Sequence, residues 1–161
     1  MSDINKLLNP LFLKEQEIRK LIELLFFSYR DFTSEPDIVL EKINFSRTHH
    51  RIIYFVGKQK KITIKELLKI LQIAKQNLSR VLDQLVKNNY INMETGNDKR
   101  TKNLTLTEKG LELEKKLSDI QIKKIKKILQ NAEISDINGF KKILFSMIDS
   151  EGKEIFNKLN K

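Results

Sequence analysis

The chain has 161 residues, of which 40% are hydrophobic and 32% charged, with five glycines, two prolines and no cysteine. This composition predicts one folded, helix-rich unit and excludes a disordered chain, a disulfide framework and a thiolate metal site. The N-terminus lacks the layout of a secretory signal, and no apolar run approaches membrane-spanning length. Both features favour a cytoplasmic location for the protein and argue against a membrane as its partner.

The net charge of +10 is concentrated in one part of the chain. Residues 58–130 hold 18 Lys and Arg against 8 Asp and Glu, whereas the two flanking segments are neutral. Positive charge concentrated in this way attracts nucleic acid or an anionic membrane surface. An ordinary solvated face rich in lysine would give the same excess of Lys and Arg over Asp and Glu. Only Arg80 and Arg100 supply arginine there, and arginine can contact guanine with two hydrogen bonds or enter a narrow minor groove.

The first part of the chain predicts two helices. A long helix follows Pro10, with apolar residues at helical spacing and two adjacent phenylalanines that widen its apolar surface. We expect Pro36 and its polar neighbours to break this helix. Residues 46–56 include a continuous apolar run that periodicity cannot assign. Ser46 as an N-cap and Gly57 as a C-terminal stop favour a buried helix there.

Two short helices with a tight turn follow. Thr63 and Glu66 have the spacing of a capping box at the start of the first helix, and a short turn separates it from a second helix over residues 75–88. The second helix buries one apolar side, formed by Leu78, Val81, Leu82 and Leu85. Its opposite side carries Gln, Asn and Arg, which can read adenine and guanine edges. An ordinary amphipathic surface helix would show the same division.

The next segment predicts a β-hairpin with a basic tip. Apolar and polar residues alternate on both sides of a turn-rich loop over residues 95–102. The loop contains three cations, which are Lys99, Arg100 and Lys102. A hairpin of this kind directly after a recognition helix is a wing. Asp98 either ends the turn or pairs with Arg80 or Arg100 to orient the wing, and for Arg80 an ion pair and a direct DNA contact are both open.

The last part of the chain predicts two further helices. Thr107 caps the first, whose two apolar stripes suggest burial by the body of the protein and by a partner. The second runs over residues 136–157, where Gly152 can bend the helix or permit close packing. The excess apolar surface of the helices at both ends of the chain predicts a homodimer.

The order of these elements resembles that of the multiple-antibiotic-resistance regulator (MarR) family over nearly the whole chain. The motifs that carry the resemblance are Glu66-Leu67-Leu68, LSRVLDQLVK over residues 78–87, Asp98-Lys99-Arg100, and LTLTEKG over residues 104–110. Asp-x-Arg in the wing followed by Leu-Thr-x-x-Gly is fairly specific in combination, although each piece alone is common.

The resemblance implies a mainly α fold with a small β-hairpin wing. It implies a winged helix-turn-helix core over residues 41–110, with dimerisation helices over residues 1–40 and 111–161. It also implies a sequence-specific transcription regulator, with repression as the favoured outcome, that binds pseudo-palindromic operators of double-stranded DNA as a homodimer. In many members a small, often aromatic effector releases the DNA.

Site residues follow from the resemblance by position. Helix 75–88 would enter the major groove and wing 95–102 the minor groove. The DNA-binding side chains would be Lys75, Gln76, Asn77, Ser79, Arg80 and Gln84 on the helix, with Lys99 and Lys102 on phosphates and Arg100 in the minor groove. Asp98 would orient the wing.

Other functions have less support in the sequence. Adjacent His49 and His50 have a poor spacing for sharing a metal ion, so we expect no metal site, no cofactor and a surface position at a helix start. Either histidine could instead line a ligand pocket or carry a pH response. No nucleophile or phosphate-loop motif suggests an enzyme. An architectural, sequence-tolerant DNA-binding protein is the main alternative, and a membrane or protein-interaction module using basic helix 115–127 is another.

Overall fold

The computed structural model of the protein describes residues 14–161. This part of the chain forms seven helices and three short strands. They are α1 (Glu15–Glu41), α2 (Arg47–Gln59), β1 (Ile62–Thr63), α3 (Ile64–Leu71), α4 (Lys75–Lys87), β2 (Ile91–Thr95), β3 (Lys102–Leu106), α5 (Glu108–Leu129), α6 (Ile134–Ser146) and α7 (Ser150–Leu159). The predicted fold class, mainly α with a small β-hairpin wing, is confirmed.

The chain divides into two compact units, Met1–Glu35 and Pro36–Lys161. In the described part of the first unit, α1 exposes apolar side chains such as Ile22 and Phe26, which are 61% and 64% exposed. The exposed surface of α1 also carries two ion pairs within the helix, Arg19 with Glu15 and Lys20 with Glu17. The division into segments 1–40, 41–110 and 111–161 stays a prediction.

The predicted break of the first helix at Pro36 was wrong, because α1 continues through Pro36 to Glu41. A proline inside a helix removes one hydrogen bond and costs about 3 kcal/mol. Here the Pro36 ring is fully buried, and Leu40, one turn later, is a core residue with no exposed surface. Burial of both side chains offsets that cost. The predicted helix start after Pro10 lies outside the described residues.

The hydrophobic core of the second unit collects side chains from the end of α1 through α5. Its fully buried members include Leu40, Ile52, Ile53, Val56, Leu67, Leu78, Leu85, Leu104 and Leu117. The predicted buried side of α4 is confirmed, since the four residues assigned to it, Leu78, Val81, Leu82 and Leu85, are all buried. This packing fixes α4 against the body of the unit and leaves its polar side exposed.

The predicted stop of α2 at Gly57 was wrong, because the helix continues to Gln59. Gly57 is instead a position of close packing. A Cβ there would lie 3.0 Å from Leu106 Cδ1 and 3.2 Å from Glu114 Cγ. The chain turns at Lys60, which has a φ of 60°.

The sheet has three antiparallel strands in the order β1–β3–β2. Strands β2 and β3 form the predicted hairpin, with Thr95 opposite Lys102 at its tip end. Strand β1 was not predicted, because its two residues are too few to show the alternation of a strand. It places Ile62 opposite Leu104 and ties the start of α3 to the middle of β3.

The capping box at the start of α3 is confirmed. Glu66 N–H donates to Thr63 Oγ1 at 3.2 Å, and Thr63 N–H donates to Glu66 Oε2 at 3.0 Å. Thr63 Oγ1 also donates to Glu66 Oε2 at 2.8 Å, and the two hydrogen bonds that Thr63 donates to the carboxylate lower the pKa of Glu66. Gln72, with a left-handed φ of 48°, ends α3 three residues before α4 begins. The capping box that begins α3 and the left-handed residue that ends it together give the helix-turn-helix arrangement.

The single helix predicted over residues 136–157 was wrong, because two helices occupy the segment and meet at residues 147–149. Asp149 causes the division: its Oδ1 accepts a hydrogen bond from Gly152 N–H at 2.6 Å and caps α7. Gly152 therefore lies in the first turn of a new helix. The predicted cap of α5 is confirmed, since Gly110 N–H donates to Thr107 Oγ1 at 3.0 Å.

Candidate nucleic-acid interface

Helix α4 presents a polar side to solvent along its N-terminal half. Lys75, Gln76, Ser79 and Arg80 are exposed and Asn77 is half-buried. Arg80 Nη2 donates to Asn77 Oδ1 at 3.2 Å, which holds these two side chains next to each other. An amide and a guanidinium side by side can read neighbouring base edges in a major groove.

Gln84, which the resemblance placed among the DNA contacts, is exposed but faces His49. Its Oε1 lies 2.7 Å from His49 Nε2. The predicted surface position of His49 was wrong, because only 4% of this residue is exposed. The sequence held the signal: His49, Ile52, Ile53 and Val56 have the spacing of one helical face, and all four are buried.

The wing loop between β2 and β3 is held together by Asp98. Its Oδ1 accepts a hydrogen bond from Arg100 N–H at 3.0 Å and lies 3.6 Å from Arg100 Nε, while its backbone oxygen accepts from Thr101 Oγ1 at 2.8 Å. Of the two partners predicted for Asp98, the structure thus gives it Arg100. The Arg100 side chain is 93% exposed, so its guanidinium projects from the tip into solvent.

The remaining wing cations lie on the same hairpin. Lys99 is exposed in the loop, and Lys102 Nζ donates to Thr95 Oγ1 at 2.8 Å across the strand pair. A Cβ on Gly96 would lie 2.5 Å from Thr101 Oγ1, so a larger residue there would displace the Thr101 hydroxyl from its hydrogen bond with Asp98 O. The loop therefore presents three cations on a folded turn.

A junction that the sequence did not reveal links the end of α4 to the start of α5. Thr107 N–H donates to Tyr90 O at 3.1 Å, and Thr107 Oγ1 donates to Asn89 O at 2.7 Å. Lys109 Nζ donates to Asn88 O at 2.9 Å and lies over the Tyr90 ring. These bonds fix the base of the wing relative to α4.

Gly110 completes this junction. A Cβ on Gly110 would collide with the backbone oxygen of Tyr90 and would lie 3.3 Å from Leu106 Cβ. The glycine of the Leu-Thr-x-x-Gly motif thus allows α5 to begin directly against the segment that follows α4. The threonine of the same motif caps the helix and binds the same segment.

Comparison with known proteins decides the family. A family model described as the MarR family matches residues 43–101. The chain is also 38% identical over 140 residues to the HTH-type transcriptional regulator PetP of Rhodobacter capsulatus, covering 86% of this chain and 84% of that protein. The chain belongs to the MarR family. Family membership makes it a transcriptional regulator that binds DNA.

Solved structures share the fold of this MarR-family protein. FabT of Streptococcus pneumoniae, solved in complex with DNA, aligns with a TM-score of 0.73 at 19% identity and covers 81% of this chain and 94% of that one. A putative MarR family transcriptional regulator from Listeria monocytogenes, complexed with a 26mer DNA, aligns with a TM-score of 0.71 at 20% identity. That alignment covers 84% of this chain and 91% of the other. The winged helix predicted from the sequence is confirmed.

Other conceivable partners of this MarR-family protein are a metal ion, a membrane and a small molecule. Within residues 14–161, no three His, Cys, Asp or Glu side chains lie close enough to hold a metal ion. Nor does any helix in that range have the length and apolar character needed to cross a membrane. A cleft of about 470 Å³ lies between α2, α3 and α7, with Tyr54, Phe55, Ile70 and Phe156 among its lining residues.

Proposed function

We propose that this MarR-family protein acts in the cytoplasm as a sequence-specific repressor, binding a pseudo-palindromic operator as a homodimer. Helix α4 would lie in the major groove and wing 95–102 in the minor groove. The observation that carries the proposal is the placement of α4 and the wing in one compact unit. That unit exposes Arg80 and its neighbours on α4 and a nearly fully exposed Arg100 on the wing.

The exposed side chains divide by chemistry. Gln76 and Asn77 suit adenine edges and Arg80 suits guanine, whereas Arg100 suits a narrow minor groove. The DNA-binding lysines, which are Lys75, Lys99 and Lys102, supply charge toward phosphates and carry no base information. Ser79 is short enough to contact either a base or a phosphate. Base readout through α4 separates this proposal from the architectural alternative, which needs only the charge.

Replacement of Gln76 by alanine tests base readout. We expect Gln76→Ala to weaken binding to a selected operator duplex by about tenfold and to leave binding to a scrambled duplex of equal length unchanged, since a good base contact is worth about 1–3 kcal/mol. Fluorescence anisotropy titrations at one fixed salt concentration measure both. Gln130→Ala, an exposed glutamine after α5, is the matched control. Equal losses on the two duplexes would support the architectural alternative.

Exposed apolar helix faces support the homodimer. Ile122, Ile125 and Ile128 on α5 are 50%, 38% and 60% exposed, and Phe140 and Ile143 on α6 are 55% and 62% exposed. Stable monomers rarely leave contiguous apolar surface of this kind in water. A second copy covering these faces would place two α4 helices on one duplex, which a pseudo-palindromic operator requires.

The cleft between α2, α3 and α7 supports release by a small effector. Aromatic and aliphatic side chains line it, and Lys58 Nζ, which donates to Asn160 Oδ1 at 2.9 Å, supplies a cation at its edge. A small aromatic ligand would find apolar walls and one charged partner there. Because α3 is the first helix of the helix-turn-helix, a ligand that displaced it would also displace α4.

A further inference from the structure

The contact between His49 and Gln84 joins two elements that are far apart in the sequence. His49 lies in the first turn of α2, and Gln84 lies on α4, the recognition helix of the proposed function. His49 stacks on Phe45, with ring centroids 4.3 Å apart and planes within 6°. The imidazole is thus fixed in position, and only its two nitrogens are directed toward polar partners.

The partners of the two nitrogens determine where the proton of the neutral ring is. Ser46 N–H, which can only donate, points at His49 Nδ1 at 3.0 Å, and Ser46 Oγ, which can donate or accept, lies 3.0 Å from the same nitrogen. Nδ1 must therefore be the acceptor nitrogen, and the proton lies on Nε2. The group that Nε2–H meets at 2.7 Å must in turn be an acceptor, so Gln84 directs its oxygen inward. The NH2 group of Gln84 is left on the exposed side of α4.

We propose that His49 is a positioning residue for DNA recognition: as the Nε2–H tautomer it fixes the Gln84 carboxamide so that only donors face the DNA. This role rests on the proposed function, because it needs α4 in the major groove. Donors suit guanine O6 and N7, thymine O4, adenine N7 or a phosphate oxygen, and they do not accept from adenine N6 or cytosine N4. Gln84 then discriminates bases differently from a freely rotating glutamine.

The surroundings of His49 oppose a positive charge on the ring. Burial lowers its pKa from the ordinary value of 6.5, the hydrogen bond to Gln84 raises it, and the charge of Arg80 on α4 lowers it. From the segment after α4, Tyr90 packs edge-on against Phe45 and carries the Lys109 ammonium over its ring. On α2 itself the adjacent titratable group is His50, whose pKa burial also lowers.

Protonation of the His49 ring at Nδ1 would break its hydrogen bond with Ser46 N–H. A proton on Nδ1 would remove the acceptor of Ser46 N–H, although Ser46 Oγ at 3.0 Å could accept from the new N–H, and it would place a cation in a buried site beside Arg80. The neutral form prevails above pH 6.5, because the pKa of His49 in the folded protein lies below that value. The contribution of His49 is therefore present above pH 6.5 and is lost as the pH falls through its folded pKa.

A double-mutant cycle tests the role of His49. His49→Asn keeps an acceptor near the position of Nδ1 and removes the group that reaches Gln84. We expect His49→Asn and Gln84→Ala each to weaken binding to the selected duplex by about three- to tenfold, and the double variant to bind no more weakly than Gln84→Ala alone. Losses that multiply would overturn the role, since His49 would then act without Gln84.

The pH profile and a rescue variant complete the test. His49→Gln can accept from Ser46 N–H, as glutamine does in a capping box, and can donate to Gln84. We expect it to bind within about threefold of the wild type at pH 7.5. It should also lose the weakening that the wild type shows as the pH falls below 6.5, over the range in which circular dichroism shows the protein to be folded. His50→Gln, the adjacent control, should keep that weakening. An unchanged pH profile in His49→Gln would overturn the role, whether or not His49→Asn folds.

The same measurements separate the two proposals. Wild-type protein without preference for the selected over a scrambled duplex would overturn the proposed function and this role together. A preserved preference with multiplying losses would overturn the role of His49 alone. Circular dichroism at pH 7.5 checks that each variant is folded.

Discussion

Replacing Arg100 with alanine is expected to weaken binding to the selected duplex by at least tenfold and to lower the slope of log affinity against log salt by about one. Its side chain is 93% exposed, and its ion pair with Asp98 spans 3.6 Å at the surface. Such an exposed pair contributes little to stability. The loss would therefore report a contact with DNA, and the folded fraction should not change.

Two controls separate a contact from general charge. Arg19→Ala removes the same charge from α1, where Arg19 pairs with Glu15 on an exposed helix surface, and should change affinity only slightly. Arg100→Lys keeps the charge but loses the planar guanidinium that suits a narrow minor groove, so it should recover the salt slope and only part of the affinity. Equal losses of DNA affinity in Arg100→Ala and Arg19→Ala would mean that Arg100 contributes only to the overall positive charge of the protein.

Gly110→Ala is expected to lower the free energy of unfolding by about 3 kcal/mol or more, because its Cβ would collide with backbone that cannot move cheaply. Tyr90 O, the atom it meets, already accepts a hydrogen bond from Thr107 N–H, and Tyr90 is 8% exposed. Urea unfolding followed by circular dichroism measures the change. The folded remainder should also bind DNA less well, since the junction fixes the wing relative to α4.

Gly139→Ala is the matched control for this substitution. Gly139 lies inside α6, and an added Cβ there meets no atom within 4 Å. Alanine in an open helical position should be neutral or stabilise the protein by about 0.5–1 kcal/mol. A urea midpoint for Gly110→Ala that matched the control would contradict the packing described at the junction.

Local signals explain why much of the fold could be predicted. The capping box of Thr63 and Glu66, the cap of Thr107 and the apolar side of α4 all depend on residues within two helical turns of each other. The hairpin was likewise recognisable from alternation around a turn-rich loop. The same locality misled the prediction at Pro36 and at residues 147–149. At Pro36, burial outweighed the helix-breaking residue, and at 147–149 apolar periodicity continued past the Asp149 cap.

Contacts between distant residues explain what the sequence could not reveal. His49 and Gln84 are 35 positions apart, so no spacing rule brings them together, although the helical face that buries His49 was visible. The junction of Asn88, Tyr90, Thr107 and Gly110 likewise depends on how two elements pack. For the candidate site, the sequence predicted which side chains α4 exposes, but only the structure shows that Gln84 Oε1 is already engaged.

Selection of bound fragments from a random pool of DNA duplexes tests the central claim most directly. If two copies of this protein read DNA through α4, the recovered sequences should share two inverted half-sites whose centres lie about one helical turn apart. Recovered fragments with no common sequence, or with a single unpaired half-site, would contradict a sequence-specific homodimer.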